Sequence, residues 1–125
     1  MAEVHKSVII IEDEPEAAEM FAEMMRVNGF PVIKMFSSAP SIPIIIQEKP
    51  DLILLDIMLP DISGLEVLRD MRRAAALDSL PVIVVSAKSI PSDIKTGLEA
   101  GASVYLTKPV GFLELKQALK KVMQR

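Results

Sequence analysis

Five short apolar runs recur along the chain: SVIII (7–11), PVIKMF (31–36), DLILL (51–55), PVIVV (81–85) and SVYLT (103–107). Each is followed by a segment of helical periodicity, and this alternation constrains the fold more than any other feature. SVIII, DLILL and PVIVV offer almost no polar face to water, so each suits a strand covered on both sides. Parallel strands need crossover connections, and crossover helices settle on the two faces of the sheet. The repeat therefore predicts an α/β fold, a five-stranded parallel sheet between helical layers. Nothing marks a linker or a second domain, so residues 1–125 are read as one domain.

The intervening segments carry their own start and stop signals. In PEAAEMFAEMMRVNG, Pro15 suits the first helical turn and Gly29 the position just past the end. Ala17, Phe21, Met24 and Met25 form its apolar stripe, with Glu16, Glu19, Glu23 and Arg26 facing water. Lys34 in the middle of 31–36 predicts an edge strand. Pro40, Pro43 and three consecutive isoleucines make a poor helix former, so only a short helix is expected over 42–48. In SGLEVLRDMRRAA (63–75), Leu65, Leu68 and Met71 are predicted inward and Arg69, Arg72 and Arg73 outward. A helix over 92–100 has Ile94 and Leu98 one turn apart, and Gly97 weakens it by about 1 kcal/mol relative to alanine. FLELKQALKKVMQ then places Phe112, Leu115, Leu119 and Val122 at helical spacing.

Polar residues sit where the strands stop. The first ends in Glu12-Asp13, the third in Asp56, the fourth in Ser86 and the fifth in Thr107-Lys108-Pro109. Asp56 is the most informative, because a carboxylate that ends a buried run must be solvated, paired or bound to a cation. In a parallel sheet these ends share one edge, and ligands bind there where the strand order reverses. With the first strand central, Glu12, Asp13 and Asp56 converge, flanked by Ser86 and Lys108. Two carboxylates about 5 Å apart repel by about 3 kcal/mol at an effective dielectric near 20. Three of them need a cation or must partly protonate, and for a cation an all-oxygen set without histidine or thiolate favours Mg²⁺. A carboxylate beside Mg²⁺ and a lysine, with a hydroxyl nearby, is equipped to receive a phosphoryl group.

Composition removes several alternatives. There is no cysteine, which excludes disulfides, thiolate metal sites and cysteine nucleophiles. The net charge of −3 argues against direct nucleic-acid binding by this domain. No apolar run approaches the roughly 18 residues of a membrane span, and MAEVHKS lacks a signal-peptide core. A cytoplasmic protein without membrane contact is the expectation. His5 reads as a solvated residue rather than a phosphodonor or ligand.

Taken in order, IIEDEP (10–15), DLILLDIMLPDISG (51–64), PVIVVSAK (81–88) and GLEAGASVYLTKP (97–109) resemble the receiver domain of two-component response regulators. The resemblance covers residues 7–123. It implies a flavodoxin-like (βα)5 fold with strand order 2-1-3-4-5. It further implies that Asp56 accepts a phosphoryl group from a histidine kinase or a phosphotransfer protein. Asp13 would ligate Mg²⁺ directly, Glu12 largely through water and Met58 through its backbone carbonyl. Lys108 would pair with phosphoryl oxygens, Ser86 would move toward them, and Tyr105 would swing inward behind it. The bond before Pro109 would be cis. The fourth and fifth helices and the strand between them would then signal to a downstream protein, with a phosphorylation-dependent dimer as one form of output. By the same resemblance, the chain either acts alone or is the receiver portion of a longer protein.

The sequence departs from the family at Pro40 and Pro43, which weaken the second helix, and at Gly111, a poorer N-cap than the usual Asp or Ser. Taken singly, the polar residues have plainer readings: Glu12-Asp13 as a helix-start signal, Asp56 as a turn residue, Ser86 as a strand-end hydroxyl, Lys108 as a surface lysine. Three other functions stay on the table. One is a degenerate receiver serving as a binding scaffold. Another is a haloacid-dehalogenase-type phosphatase, disfavoured because Met58 stands where a second Asp belongs. The third, a nucleotide-binding module, is disfavoured because EDEPEAAE replaces a glycine-rich turn.

Overall fold

The computed structural model describes residues 6–123, so His5 lies outside the described residues. Strands and helices alternate throughout: β1 (Val8–Ile11), α1 (Pro15–Val27), β2 (Val32–Phe36), α2 (Ile42–Glu48), β3 (Leu52–Asp56), α3 (Gly64–Arg73), β4 (Val82–Ser86), α4 (Pro91–Ala100), β5 (Val104–Thr107) and α5 (Phe112–Met123). The strands form one parallel sheet in the order β2-β1-β3-β4-β5. Successive strand residues face opposite sides, so each apolar run feeds two cores at once. Val8, Ile10, Leu52, Leu54, Ile83 and Val85 pack beneath Phe21 and Met25 of α1 and Leu115 and Leu119 of α5. Ile9, Ile11, Ile53, Leu55, Val82 and Val84 meet Ile45 of α2 and Leu68 and Met71 of α3 on the other side.

β1, β3 and β4 are buried along their whole length, whereas β2 and β5 form the edges and are only partly covered. Lys34 on β2 is exposed, as an edge strand allows, and reaches Glu48 at 3.7 Å. α2 begins at Ile42 with Pro43 in its first turn, where a missing amide hydrogen costs little. Gly111 is compensated from within α5: its N–H donates to Glu114 Oε1 at 3.0 Å, and its carbonyl accepts from the Leu115 amide. No helix among the described residues is long and apolar enough to cross a membrane.

Three helix faces differ from the sequence expectation. In α1 the buried set is Ala18, Phe21, Ala22 and Met25, leaving Ala17 and Met24 at the margin. In α3, Val67 is buried and Leu65 only partly so, while Arg72 turns inward and is half-buried rather than solvated. In α4 the buried residues are Gly97 and Ala100, and Leu98 is 46% exposed. The reason is Tyr105 of β5, whose ring lies where a side chain at position 97 would stand. The helix therefore seats its smallest residues on the sheet and turns Leu98 outward.

These faces predict different costs of truncation. Leu68→Ala should lower the unfolding free energy by about 2–5 kcal/mol, as for other fully buried leucines. Leu98→Ala should stay within about 0.5 kcal/mol. Urea denaturation of both variants measures the contrast, and comparable losses would return Leu98 to the core.

Candidate functional site

The sheet order places the carboxyl ends of β1, β3, β4 and β5 along one rim. Ile11 pairs with Leu55, so the next residues, Glu12 and Asp56, emerge side by side. Asp56 pairs with Val85 and Ser86 with Thr107, and the Lys108 amide donates to the Ser86 carbonyl at 2.8 Å. Lys108 is thereby fixed beside β4 and directed along the rim toward β3 and β1.

Its ammonium lies 3.0 Å from Asp56 Oδ2 and 2.9 Å from Glu12 Oε1. Both carboxylates are nearly dry, with Glu12 3% and Asp56 4% exposed. Asp13 stands in solvent, yet one carboxylate oxygen from each of Glu12, Asp13 and Asp56 lies within 4.8 Å of the others. Three carboxylates against one ammonium leave a formal surplus of negative charge. Burial, the largest influence on Glu12, raises its pKa, outweighing the hydrogen bonds from Lys108 and the Glu14 amide. Burial alone would lower the pKa of Lys108, but its hydrogen bonds and attraction to Glu12 and Asp56 raise it instead. Lys108 is therefore held charged.

Short turns hold three of these side chains at the rim. Glu12 Oε2 accepts from the Glu14 amide at 3.2 Å, Asp56 Oδ1 from the Met58 amide at 2.8 Å, and Ser86 Oγ from the Lys88 amide at 3.1 Å. In each case the acceptor belongs to a residue two positions earlier, the pattern by which Asp and Ser side chains close their own turns. α3 presses on the same rim: the Gly64 amide donates to the Ile57 carbonyl at 2.9 Å, and a Cβ at Gly64 would come 2.7 Å from the Asp56 carbonyl oxygen. Only glycine permits that approach without displacing the backbone beside Asp56.

The structure therefore brings Glu12, Asp13, Asp56 and Lys108 together, with Ser86 fully buried at the end of β4. The Met58 side chain points to solvent, and its amide rather than its thioether engages Asp56. The Lys108–Pro109 peptide is cis. Tyr105 is half-buried, and its hydroxyl donates to the Lys88 carbonyl at 2.8 Å. The backbone of Lys88 was not anticipated as a junction, although it serves both Ser86 and Tyr105. A serine two residues earlier was the available signal for half of that junction; the other half is a contact across the fold. The donors converging on the acidic cluster are oxygens, which suits a hard divalent ion of the Mg²⁺ type and not a soft or thiophilic one.

Comparison with known proteins agrees with this architecture. A family model described as the response regulator receiver domain matches residues 8–120. The phosphate regulon transcriptional regulatory protein PhoB of Pseudomonas aeruginosa PAO1 is 37% identical over 122 residues, 98% of this chain and 53% of that regulator. The chain spans about half the length of the curated relatives it matches. Among solved structures, a chain from Chloroflexus aurantiacus J-10-fl classed as a response regulator superposes with a TM-score of 0.91 at 28% identity, covering 98% of this chain and all of the other. The receiver domain of the sensor histidine kinase PA1611 of Pseudomonas aeruginosa PAO1, solved with magnesium in its active-site cleft, shares the fold at 24% identity and a TM-score of 0.80, covering 94% and 97% of the two chains. With a family match over residues 8–120 joined to a rim of this geometry, the chain belongs to the response regulator receiver domain family.

Proposed function

We propose that Asp56 is the phosphoacceptor of this receiver, taking a phosphoryl group from a phosphohistidine on a sensor kinase or phosphotransfer protein. One observation carries the reading: a buried carboxylate paired with Lys108 at 3.0 Å, within reach of two further acids. An oxygen of Asp56 attacks phosphorus, the phosphorus–nitrogen bond breaks, and its electron pair returns to the partner's imidazole. An acyl phosphate on Asp56 results. Glu12, Asp13, Asp56 and the Met58 backbone carbonyl would hold Mg²⁺, which when bound neutralises charge on the phosphoryl oxygens. Lys108 exchanges a carboxylate partner for a phosphoryl oxygen without leaving the rim. Transfer of this kind depends on positioning and charge stabilisation, both of which these residues supply. The chain thus assists its own phosphorylation and acts as a switch rather than as an enzyme with turnover on a separate substrate.

Ser86 supplies the link to the rest of the fold. Its oxygen accepts from the Lys88 amide, so the hydroxyl proton is free to be donated to a phosphoryl oxygen. A shift of Ser86 toward the phosphoryl group would pull on Lys88, whose carbonyl holds the Tyr105 hydroxyl. The rearranged surface of α4, β5 and α5 would then engage a downstream protein.

Incubation with acetyl phosphate and Mg²⁺ should add the mass of one phosphoryl group, and EDTA or Asp56→Asn should abolish the gain. Uptake by Asp56→Asn at the wild-type rate would remove Asp56 from the role. The same substitution should stabilise the metal-free protein by about 1 kcal/mol, because relief of carboxylate repulsion exceeds the weakened lysine bond. Denaturation in EDTA tests this, and a clear loss of stability would mean that the acids do not repel as described. Mg²⁺ affinity should also fall as pH drops from neutral into the raised range of Glu12, since a protonated carboxyl is a poor ligand. Calorimetric titration should find that fall shallower in Glu12→Gln; an identical pH profile would exclude Glu12 from the metal site.

A further inference from the structure

At the edge of the sheet opposite the acidic rim, where β1 and β2 begin, an open cleft of about 510 Å³ is bounded by three segments distant in sequence. Phe30, from the turn between α1 and β2, and Leu119 and Met123, from the last turns of α5, form its floor. All three pack in the core layer beneath α1 and α5. Lys6, just ahead of β1, and Lys116 and Lys120 of α5 stand around that floor. No carboxylate lines the cleft, in a chain that carries 17 acidic residues and a net charge of −3.

Packing does not explain the three lysines. Among the described residues none of them takes part in a salt bridge. Lys120 lies in the last turn of α5, where a cation complements the helix dipole, but Lys116 lies a turn earlier and Lys6 belongs to no helix. Lys116 and Lys120 share one face of α5, and like charges at that spacing repel unless an anion lies between them. The turn opposite offers no competing backbone donors, because the amides of Asn28, Gly29 and Phe30 are all bonded to carbonyls of α1. Polar recognition in the cleft falls to ammonium groups above an apolar floor.

We propose that this cleft binds an amphiphilic carboxylate, with its head group among Lys6, Lys116 and Lys120 and its hydrocarbon on Phe30, Leu119 and Met123. The volume lies within the range of small-molecule sites, about 300–1,000 Å³. An inorganic anion would leave the floor wet, and an uncharged hydrocarbon would leave the ammonium groups without a partner. A membrane surface does not fit either. Phe30 and Leu119 are 7% and 4% exposed, too recessed to enter a bilayer, whereas a single hydrocarbon chain can reach them. Met123, unbranched and only partly buried, can adapt to chains of different shape. The cleft is separate from the acidic rim, so the proposal does not depend on the phosphoacceptor role of Asp56.

NMR titration of the 125-residue chain with decanoate, below its micelle threshold, tests the site. Amides of Gly29, Phe30 and residues 116–120 should shift saturably, and those around Asp56 should not. Hexanoate should bind at least about tenfold more weakly, since each methylene fully removed from water is worth about fourfold in affinity. Replacing both α5 lysines, Lys116→Gln with Lys120→Gln, should weaken decanoate by about tenfold and leave the rest of the spectrum unchanged. Acetate, the head group alone, and decyltrimethylammonium, a similar tail with the opposite charge, should leave these amides unmoved at the same concentration. No shift with decanoate, comparable binding of decyltrimethylammonium, or indifference to the lysine pair overturns the proposal. Equal shifts at Leu98, exposed on α4, would show unspecific adsorption and also overturn it. Cosedimentation with phosphatidylglycerol vesicles, without a response to monomeric decanoate, would assign the lysines to a membrane surface instead.

Discussion

One ammonium group between two dry carboxylates organises this molecule. Lys108 is the only cation in contact with Glu12 and Asp56 among the described residues, and neither acid has water enough to carry its charge alone. Leaving a buried charge unpaired costs several kcal/mol, a large fraction of the stability of a domain this size. The arrangement works only if the end of β5 reaches the ends of β3 and β1 past β4. The strand order β2-β1-β3-β4-β5 and the Lys108 amide bond to Ser86 make that reach short. Architecture and chemistry are therefore one constraint seen from two sides.

The same constraint leaves the site with unbalanced charge. Three acids and one ammonium leave negative charge unmatched, and burial lifts Glu12 above the ordinary carboxylate range. A divalent cation would relieve that imbalance, and under the proposed function a phosphoryl group bound with it would give Lys108 a second anionic partner. The site is pre-organised around an incomplete set of charges. Beside it, Ser86 and Tyr105 meet at Lys88 within one turn of the start of α4.

Stability is distributed accordingly. β1, β3 and β4 are sealed between two apolar layers, so the strands that lead to Glu12, Asp56 and Ser86 are the most deeply buried part of the sheet. α4 rests on Tyr105 through a glycine and on the core through an alanine, contacts that bury little apolar area. The deeply buried rim thus stands next to a helix seated by small residues. Arg72 fastens the C-terminal end of that helix to α3 through the Gly101 carbonyl.

The sequence by itself determined the element order, the parallel sheet, the edge position of β2 and the identity of the rim residues. Strand ends can be read in one dimension: Glu12, Asp56 and Ser86 are the polar residues that close apolar runs, so they mark where the strands end, and parallelism puts those ends on one edge. Even the proline-rich α2 was legible, because Pro43 falls in the turn that tolerates it. Tertiary structure decided which helix faces are buried and which polar groups meet. Helical spacing assigned Leu98 to a core contact and Arg72 to water, but the Tyr105 ring occupies the place a larger side chain would need, and the Gly101 carbonyl offers Arg72 a partner 29 positions away. Periodicity records that a helix has an apolar side; the shape of what lies beneath it, contributed by distant parts of the chain, sets how that side is turned.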